Sequence, residues 1–244
     1  ISIEINVLYK GEQKIYNIMH LLIQKKYTNI ASTLFLNDSY LVNNWTNYYG
    51  NYGVDGFVLY CNKKITDEIN NNVYTNTQKD ILLVEWDYMY FIPWNENKFR
   101  HHAQTCVINH FLYKYAKPLS IWCSMMDLDE YFWTPEHNFI KLLDEYKDKN
   151  TLLFDNIWAK TDNTPNNNIL DFTKIDIYTV PTDKYYMRTK CIFKSDFHNG
   201  IGIHVPKDYK NSVVLRHEKG LMLHFFTWSR PDRKIQNVNE IFDY

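Results

Sequence analysis

Between Ile121 and Phe132 the chain reads Ile-Trp-Cys-Ser-Met-Met-Asp-Leu-Asp-Glu-Tyr-Phe, an apolar run that gives way abruptly to acid. If the strand continues through the break, successive side chains alternate between faces, so Asp127 and Asp129 project to one side and Leu128 to the other. Two carboxylates held side by side repel unless a cation lies between them. Hard oxygen ligands of this kind suit Mg²⁺ or Mn²⁺ better than zinc. The place also fits, because open α/β sheets bind ligands beyond the carboxyl ends of their strands. The plainer explanation is an acidic loop closing a buried strand, and short motifs do arise by accident. The length of the apolar run and its central position weigh against that explanation here.

The elements around this break alternate. Thr33 to Leu36 reads as a strand ending in Asn37-Asp38, and Tyr40 to Tyr52 as an amphipathic helix with Leu41, Trp45 and Tyr48/Tyr49 at helical spacing, stopped by Gly53. Val54 to Tyr60 is the next strand, Thr66 to Thr75 a short helix, Ile81 to Trp86 an apolar strand, and Lys98 to Tyr115 a longer helix bounded by Lys117-Pro118. The strand that ends in Asp127 follows. Such alternation predicts an α/β fold with a mostly parallel, Rossmann-like central sheet flanked by helices on both faces. After Pro135 a helix from Asn138 to Tyr146 leads into a strand from Thr151 to Trp158, and the Asn-rich stretch Asp162 to Asn168 reads as a loop. Short β-like runs at Ile175 to Val180, Cys191 to Lys194, Ile201 to Val205 and Val213 to Leu215 make the C-terminal part β-rich. No repeat or linker divides the chain.

Its 244 residues suffice for one large domain with a substantial core. A net charge of −1 lacks the basic field of a non-specific nucleic-acid binder, so no nucleic-acid partner is expected. The four cysteines (Cys61, Cys106, Cys123, Cys191) form no Cys-x-x-Cys pair and read as buried thiols of a reducing compartment. No apolar stretch approaches the roughly 20 residues of a membrane span, and no signal peptide is evident. A location in the cytoplasm or on the cytoplasmic face of a membrane is therefore expected. The chain begins at Ile1 without Met and is expected to be a piece of a longer protein, from which an anchor or neighbouring domain could be missing. Asn37 and Asn44 match the glycosylation sequon, which in an Asn-rich chain reads as chance.

Several of these residues together carry a resemblance. Trp45, Tyr49, Gly53-Val54-Asp55 before the strand Phe57 to Tyr60, the helical Gln104, Trp122, Asp127-Leu128-Asp129-Glu130-Tyr131 and the late His224-Phe225-Phe226-x-Trp228 resemble glycosyltransferase family 92 and its family-2-like GT-A relatives. The similarity spans Thr33 to Arg233. It implies one GT-A domain over residues 1–244, with a nucleotide-sugar-binding half of about 28–130 and an acceptor half of about 131–244. It also implies a metal-dependent transferase that moves a sugar from a nucleotide-diphosphate sugar to a hydroxyl of a glycan or glycoconjugate. A UDP-sugar is the favoured donor and a GDP-sugar the alternative; the cofactor is Mn²⁺ or Mg²⁺. A bound metal would neutralise the diphosphate leaving group as the glycosidic bond breaks.

By the same resemblance Asp129 binds the metal and Asp127 contacts the metal or the donor. His224 stands where such enzymes supply a further ligand, with His204 as its rival. Asn37, Asn62, Gln104 and Lys190 fall at donor-side positions. Arg188, Arg230 and Arg233 are solvated charges or phosphate contacts. Aromatic rings stack on sugar faces, and Trp158 and Trp228 are chosen from many aromatics because each closes a strand-like run beside polar residues. Glu130 and His204 are assigned to the sugar or acceptor side. Where family members often carry Tyr-Asp-Asn, this chain has Tyr60-Cys61-Asn62, and the missing carboxylate leaves the nucleoside contact unassigned. An inverting reaction needs a carboxylate to deprotonate the acceptor; Asp155, Asp162, Asp176 and Asp196 are candidates, with Asp155 preferred, whereas retention needs none. Two other classes compete. A haloacid-dehalogenase-like phosphohydrolase also places Asp-x-Asp after an apolar strand, but near the start of its domain and with Thr or Val where this chain has Tyr131. A non-catalytic carbohydrate-binding protein explains the aromatics but not the acidic pair.

Overall fold

The computed structural model describes residues 2–9, 12–19, 25–74, 79–95, 98–160, 176–178, 189–208, 210–225, 228 and 241–242; for 2–9, 12–19, 91–95, 98–102, 160, 176–178 and 241–242 it describes the backbone alone. An antiparallel hairpin, β1 (Ser2–Tyr9) and β2 (Glu12–Met19), forms a sheet of its own. Then come β3 (Tyr27–Phe35), α1 (Ser39–Asn51), β4 (Gly56–Cys61), α2 (Asp67–Tyr74) and β5 (Asp80–Glu85). A second hairpin, β6 (Phe91–Asn95) and β7 (Lys98–His101), precedes α3 (His102–Phe111), which continues through a π-helical turn (Leu112–Ala116) into the short α4 (Lys117–Leu119). β8 (Ser120–Met125), β9 (Glu130–Trp133), α5 (Phe139–Glu145) and β10 (Thr151–Lys160) follow. The rest is β11 (Asp176–Tyr178), β12 (Lys190–Lys194), β13 (Ser212–Val214), β14 (Leu221–His224) and β15 (Ile241–Phe242).

One sheet joins both halves in the order β15-β11-β10-β12-β8-β3-β4-β5, with β13 and β14 also on β10, and β9 on β14. The βα units behave as their alternation predicts: β8, β3, β4 and β5 are parallel neighbours. Beyond β8 the sheet is mixed, because β12 runs antiparallel to both β8 and β10 while β14 runs parallel to β10. The C-terminal part is β-rich, as expected.

Helices cover both faces. On one, Leu41, Trp45 and Tyr49 of α1, Ile69 and Val73 of α2, and Phe139 and Leu142 of α5 pack on Phe57, Leu59 and Trp122. On the other, Val107, Ile108 and Phe111 of α3 pack on Ile30, Val58, Tyr60 and Cys123. All six residues of β4 are buried, which is why it reads as a continuous apolar run rather than an alternating one. Full burial of a side chain such as Phe57 or Leu59 contributes about 1.5–3 kcal/mol. Gly53 stops α1 at a φ of +102°, where a Cβ would lie 2.9 Å from Ile140 Cγ1.

Three expectations change. Residues 98–101 pair with β6 instead of opening the helix, so α3 starts at His102; hairpin pairing outweighs the weak helical preference of Lys-Phe-Arg. The run Ile201 to Val205 forms no strand, only a bridge from Ile201 to Pro206. The Asn109 side chain donates to the Ile201 carbonyl and accepts from its N–H, occupying the groups a neighbouring strand would need. Cys61, Cys123 and Cys191 are buried thiols, but Cys106 on α3 is exposed. The loop Asp162 to Asn168 lies outside the described residues. Among those described, no helix is long and apolar enough to cross a membrane.

Candidate active site

β8 makes its last contact with β3 through the Met126 N–H, which donates to the Ser32 carbonyl at 3.1 Å. The chain then turns instead of running on. Glu130 N–H donates to the Asp127 carbonyl at 3.1 Å, and the Glu130 carboxylate accepts from the Asp127 N–H at 2.8 Å. Asp127 and Asp129 therefore sit in a reverse turn rather than on one face of a strand. The reason lies in Glu130, whose short reach back to the Asp127 amide closes the turn.

The turn sends the two aspartates to different neighbours. Asp127 Oδ1 accepts from Gln104 Nε2 of α3 at 3.3 Å, and its Oδ2 lies 3.4 Å from Lys190 Nζ at the start of β12. Tyr90 donates to the Gln104 carbonyl oxygen and so holds the amide in place. Asp129 Oδ2 lies 3.6 Å from His224 Nε2. The Asp129 backbone carbonyl accepts from Phe225 N–H at 2.7 Å, which anchors the turn to the end of β14.

Register explains the convergence. Glu130 pairs with His224 across β9 and β14, and Trp158 pairs with His224 across β10 and β14, so the three share one face. Phe154 pairs with Lys190 across β10 and β12, which puts Lys190 on the same face as Phe154 and Trp158. The Trp158 ring stacks on the His224 imidazole, with centroids 5.5 Å apart and planes at 15°. His224 Nδ1 is buried with no hydrogen-bond partner among the described residues.

The electrostatics are those of a crowded acidic turn. Burial pushes the Glu130 carboxyl up to about 7 against the opposing pull of Lys190, while Asp127 adds to the rise. For Lys190 burial alone would lower the ammonium pKa, but Asp127 and Glu130 outweigh it and hold it above the ordinary value. For His224 burial is likewise outweighed, by the hydrogen bond and charge of Asp129, so the imidazole is held above its usual range. Asp38, in the loop after β3, is raised by burial and then by Asp129.

The residues expected at the site divide accordingly. Asp127, Asp129, His224, Gln104, Lys190, Glu130 and Trp158 come together. Asn37 is exposed beyond β3, where it accepts from Lys63 Nζ at 3.0 Å. Asn62 is committed elsewhere: its Nδ2 donates to the Trp86 and Tyr88 carbonyls and fixes the loop after β5. Glu130, assigned to the acceptor side, is buried against Lys190 at 3.0 Å. Trp228, chosen as a sugar platform, is only 7 % exposed and stacks on Phe225 with centroids 4.2 Å apart. His204 meets Cys191 through its backbone carbonyl, and Cys191 leaves β12 on the face opposite Lys190, whereas the His224 imidazole lies beside Asp129.

The preferred base is also displaced. Asp155 pairs with Leu221 and lies an odd number of residues from Trp158, so it leaves β10 on the other face, toward His217 at 3.9 Å. Asp196 is paired with Lys25 at 2.6 Å at the Ser120 end of β8, the far end from Asp127. Asp162, Arg188, Arg230 and Arg233 lie outside the described residues, and Asp176 contributes backbone alone. Sequence reasoning missed Tyr90 and the place of Asp38 near Asp129. Asp38 was legible as the polar end of a strand; Tyr90 carried no signal.

A model of glycosyltransferase family 92 matches residues 30–243. No curated protein sequence matches the chain. Among solved structures, residues 1–349 of TarS from S. aureus are similar with a TM-score of 0.50 at 10% identity, over 82% of this chain and 61% of that one. The chain thus spans about three-fifths of that structure's length. Core-mannan synthase A (CmsA/Ktr4) from Aspergillus fumigatus, in an Mn/GDP form, has a TM-score of 0.38 at 10% identity over 65% of this chain and 56% of that one. The mannosyltransferase Ktr4p from S. cerevisiae has a TM-score of 0.37 at 8% identity, over 57% and 41%.

Proposed function

The chain belongs to glycosyltransferase family 92 and has the α/β, GT-A-like fold of a glycosyltransferase, and from that premise we propose a metal-dependent transfer of a sugar from a nucleotide-diphosphate sugar to a hydroxyl of a glycan or glycoconjugate. The observation that carries the reading is the meeting of Asp129 and His224 at 3.6 Å beside Asp127, beyond the carboxyl end of β8. The two carboxylates supply hard oxygen donors of the kind that suit Mn²⁺ or Mg²⁺, with one imidazole nitrogen beside them. Among the described residues no group of three such side chains forms a ready-made cage. A partial protein shell of this kind is what a cation shared with substrate phosphates uses.

In this reading Asp129 and His224 hold the metal, and Asp127 contacts the metal or the donor. The metal supplies charge neutralisation for the diphosphate leaving group. Gln104 orients Asp127, and Trp158 orients the imidazole of His224 rather than stacking on sugar. Asn37 and Lys63 border the donor side. A UDP-sugar remains the favoured donor, a GDP-sugar the alternative, and residues 1–244 act as one catalytic domain. The proposed course is inversion. For the base the reading turns from Asp155, whose side chain leaves β10 on the face away from His224, and from Asp196, at the far end of β8, to Asp162 or Asp176. Family membership displaces the phosphohydrolase and the non-catalytic binder.

The test is thermal unfolding with Mn²⁺ and a panel of nucleoside diphosphates. A nucleotide at about one hundred times its Kd should stabilise the protein by about 2.7 kcal/mol, a midpoint rise of roughly 5–11 °C for a chain of this size, and only with metal present. Asp129→Ala should abolish the rise. A rise that survives the substitution, or no rise with any nucleotide, refutes the donor site.

A further inference from the structure

We infer that Lys190 is a positioning residue that sets the orientation of Asp127 before a metal arrives, and that it makes no contact with the donor. The inference rests on the donor-site reading above and concerns how that site is built. Its first support is a contrast in exposure between neighbours: the Asp127 side chain is 40 % exposed, whereas that of Lys190, 3.4 Å away, is 2 % exposed. The group that faces solvent is the carboxylate. The ammonium lies beneath it, walled in by Glu130, itself 3 % exposed, at 3.0 Å.

Burying a lysine is costly unless its charge is met, and the cost is tolerated here where two carboxylates meet it. The result is a carboxylate pinned from three elements. Gln104 of α3 holds Asp127 Oδ1, Lys190 of β12 holds Oδ2, and Glu130 of β9 holds the Asp127 amide. Glu130 serves twice, since the same Oε2 accepts from the Asp127 amide and from Lys190. The plane of the exposed carboxylate is thus fixed by groups that are themselves buried. Partners behind a metal ligand act in this way on affinity, and their removal typically costs roughly 10- to 100-fold.

Lys190→Met alone would leave Glu130 buried and unmatched and could unfold the chain. The test therefore compares Glu130→Gln with the double variant Lys190→Met/Glu130→Gln, in which both charges of the buried pair are gone and the Gln oxygen still accepts from the Asp127 amide. Calorimetric titration with UDP and with GDP, each with and without Mn²⁺, is the readout. The double variant should lose roughly 10- to 100-fold in Mn²⁺-dependent nucleotide affinity relative to Glu130→Gln. Amine labelling of the unmodified protein, read by mass spectrometry, is the second arm: Lys190 should resist labelling equally with and without UDP and Mn²⁺. Equal metal-dependent affinity in the two variants overturns the inference, as does a Lys190 that is labelled when free and protected by nucleotide. Absence of metal-dependent binding in the unmodified protein would instead refute the donor-site reading.

Discussion

Tyr49→Phe isolates a single hydroxyl on which the acidic turn depends. Tyr49 lies on α1 with its ring fully buried, and its Oη donates to the Glu130 carbonyl at 3.0 Å and accepts from the Phe132 N–H at 2.9 Å. Tyr48 Oη donates to the Phe132 carbonyl at 2.7 Å. β9 pairs with β14 along one edge, so along the other edge two helical tyrosines stand in for a neighbouring strand. Removing the Tyr49 hydroxyl leaves a buried N–H and a buried C=O without partners. At about 1–3 kcal/mol for each stranded group, with partial relaxation, the loss should be about 2–4 kcal/mol. For a chain of this length that lowers the melting midpoint by roughly 4–16 °C. The aromatic packing against Trp45 and Tyr131 survives the substitution, so the change reports the hydrogen bonds and not a cavity. Urea unfolding should show a lower midpoint with an unchanged m-value. Tyr48→Phe strands the Phe132 carbonyl and removes the hydroxyl's bond with Tyr52, whose own hydroxyl keeps His137, and should cost less than Tyr49→Phe. A loss below about 0.5 kcal/mol for Tyr49→Phe would place the substitution among ordinary surface changes and refute the account of how β9 is held.

Two further substitutions test the geometry around the site. Asp155 has its carboxyl pushed up by burial, with His217 opposing, and its Oδ1 is buried without a hydrogen-bond partner among the described residues. A carboxyl whose folded pKa lies above its unfolded one costs nothing in acid, where both states are protonated, and costs stability as pH rises through that window. Asp155→Asn should therefore match the parent protein in urea midpoint near about pH 3 and exceed it near about pH 8, with transfer activity retained because the side chain faces away from His224; a large loss of activity would restore Asp155 as the base. Gly220→Ala would set a Cβ 2.9 Å from Phe154 Cε1 and 3.0 Å from Leu215 Cδ1, just before the strand that carries His224. The overpacking should cost about 1–3 kcal/mol in thermal or urea unfolding, and an unchanged midpoint would show that the two side chains yield freely.

How far the chain could be read before folding follows from how local each signal is. Leu41, Trp45 and Tyr49 recur at helical spacing and mark α1, and Gly53 ends it, because period and positive φ are properties of a few consecutive residues. The apolar run of β8 and the acid that ends it are local in the same sense. Misreadings arose where a distant partner decided the outcome. Residues 98–101 look helical until β6 is beside them, and Ile201 looks like a strand until Asn109 takes its backbone groups. Trp158 and Trp228 read alike in sequence, yet one stacks on His224 while the other closes a core around Phe225 and Tyr131.

By itself the sequence determined the βα order, the acidic break at Asp127 and Asp129, and the kinship to a transferase family, since each rests on residue type and short-range spacing. The tertiary structure alone decided that the break is a turn, that Asp155 faces away, that His224 lies beside Asp129, and that Lys190 lies beneath Asp127. Those outcomes depend on strand register and burial between segments far apart in the chain, such as Asp127 and Lys190 at a separation of 63 residues. A one-residue change of register reverses every side chain on a strand, and no local pattern in this chain specifies which face of β10, β12 or β14 meets the turn.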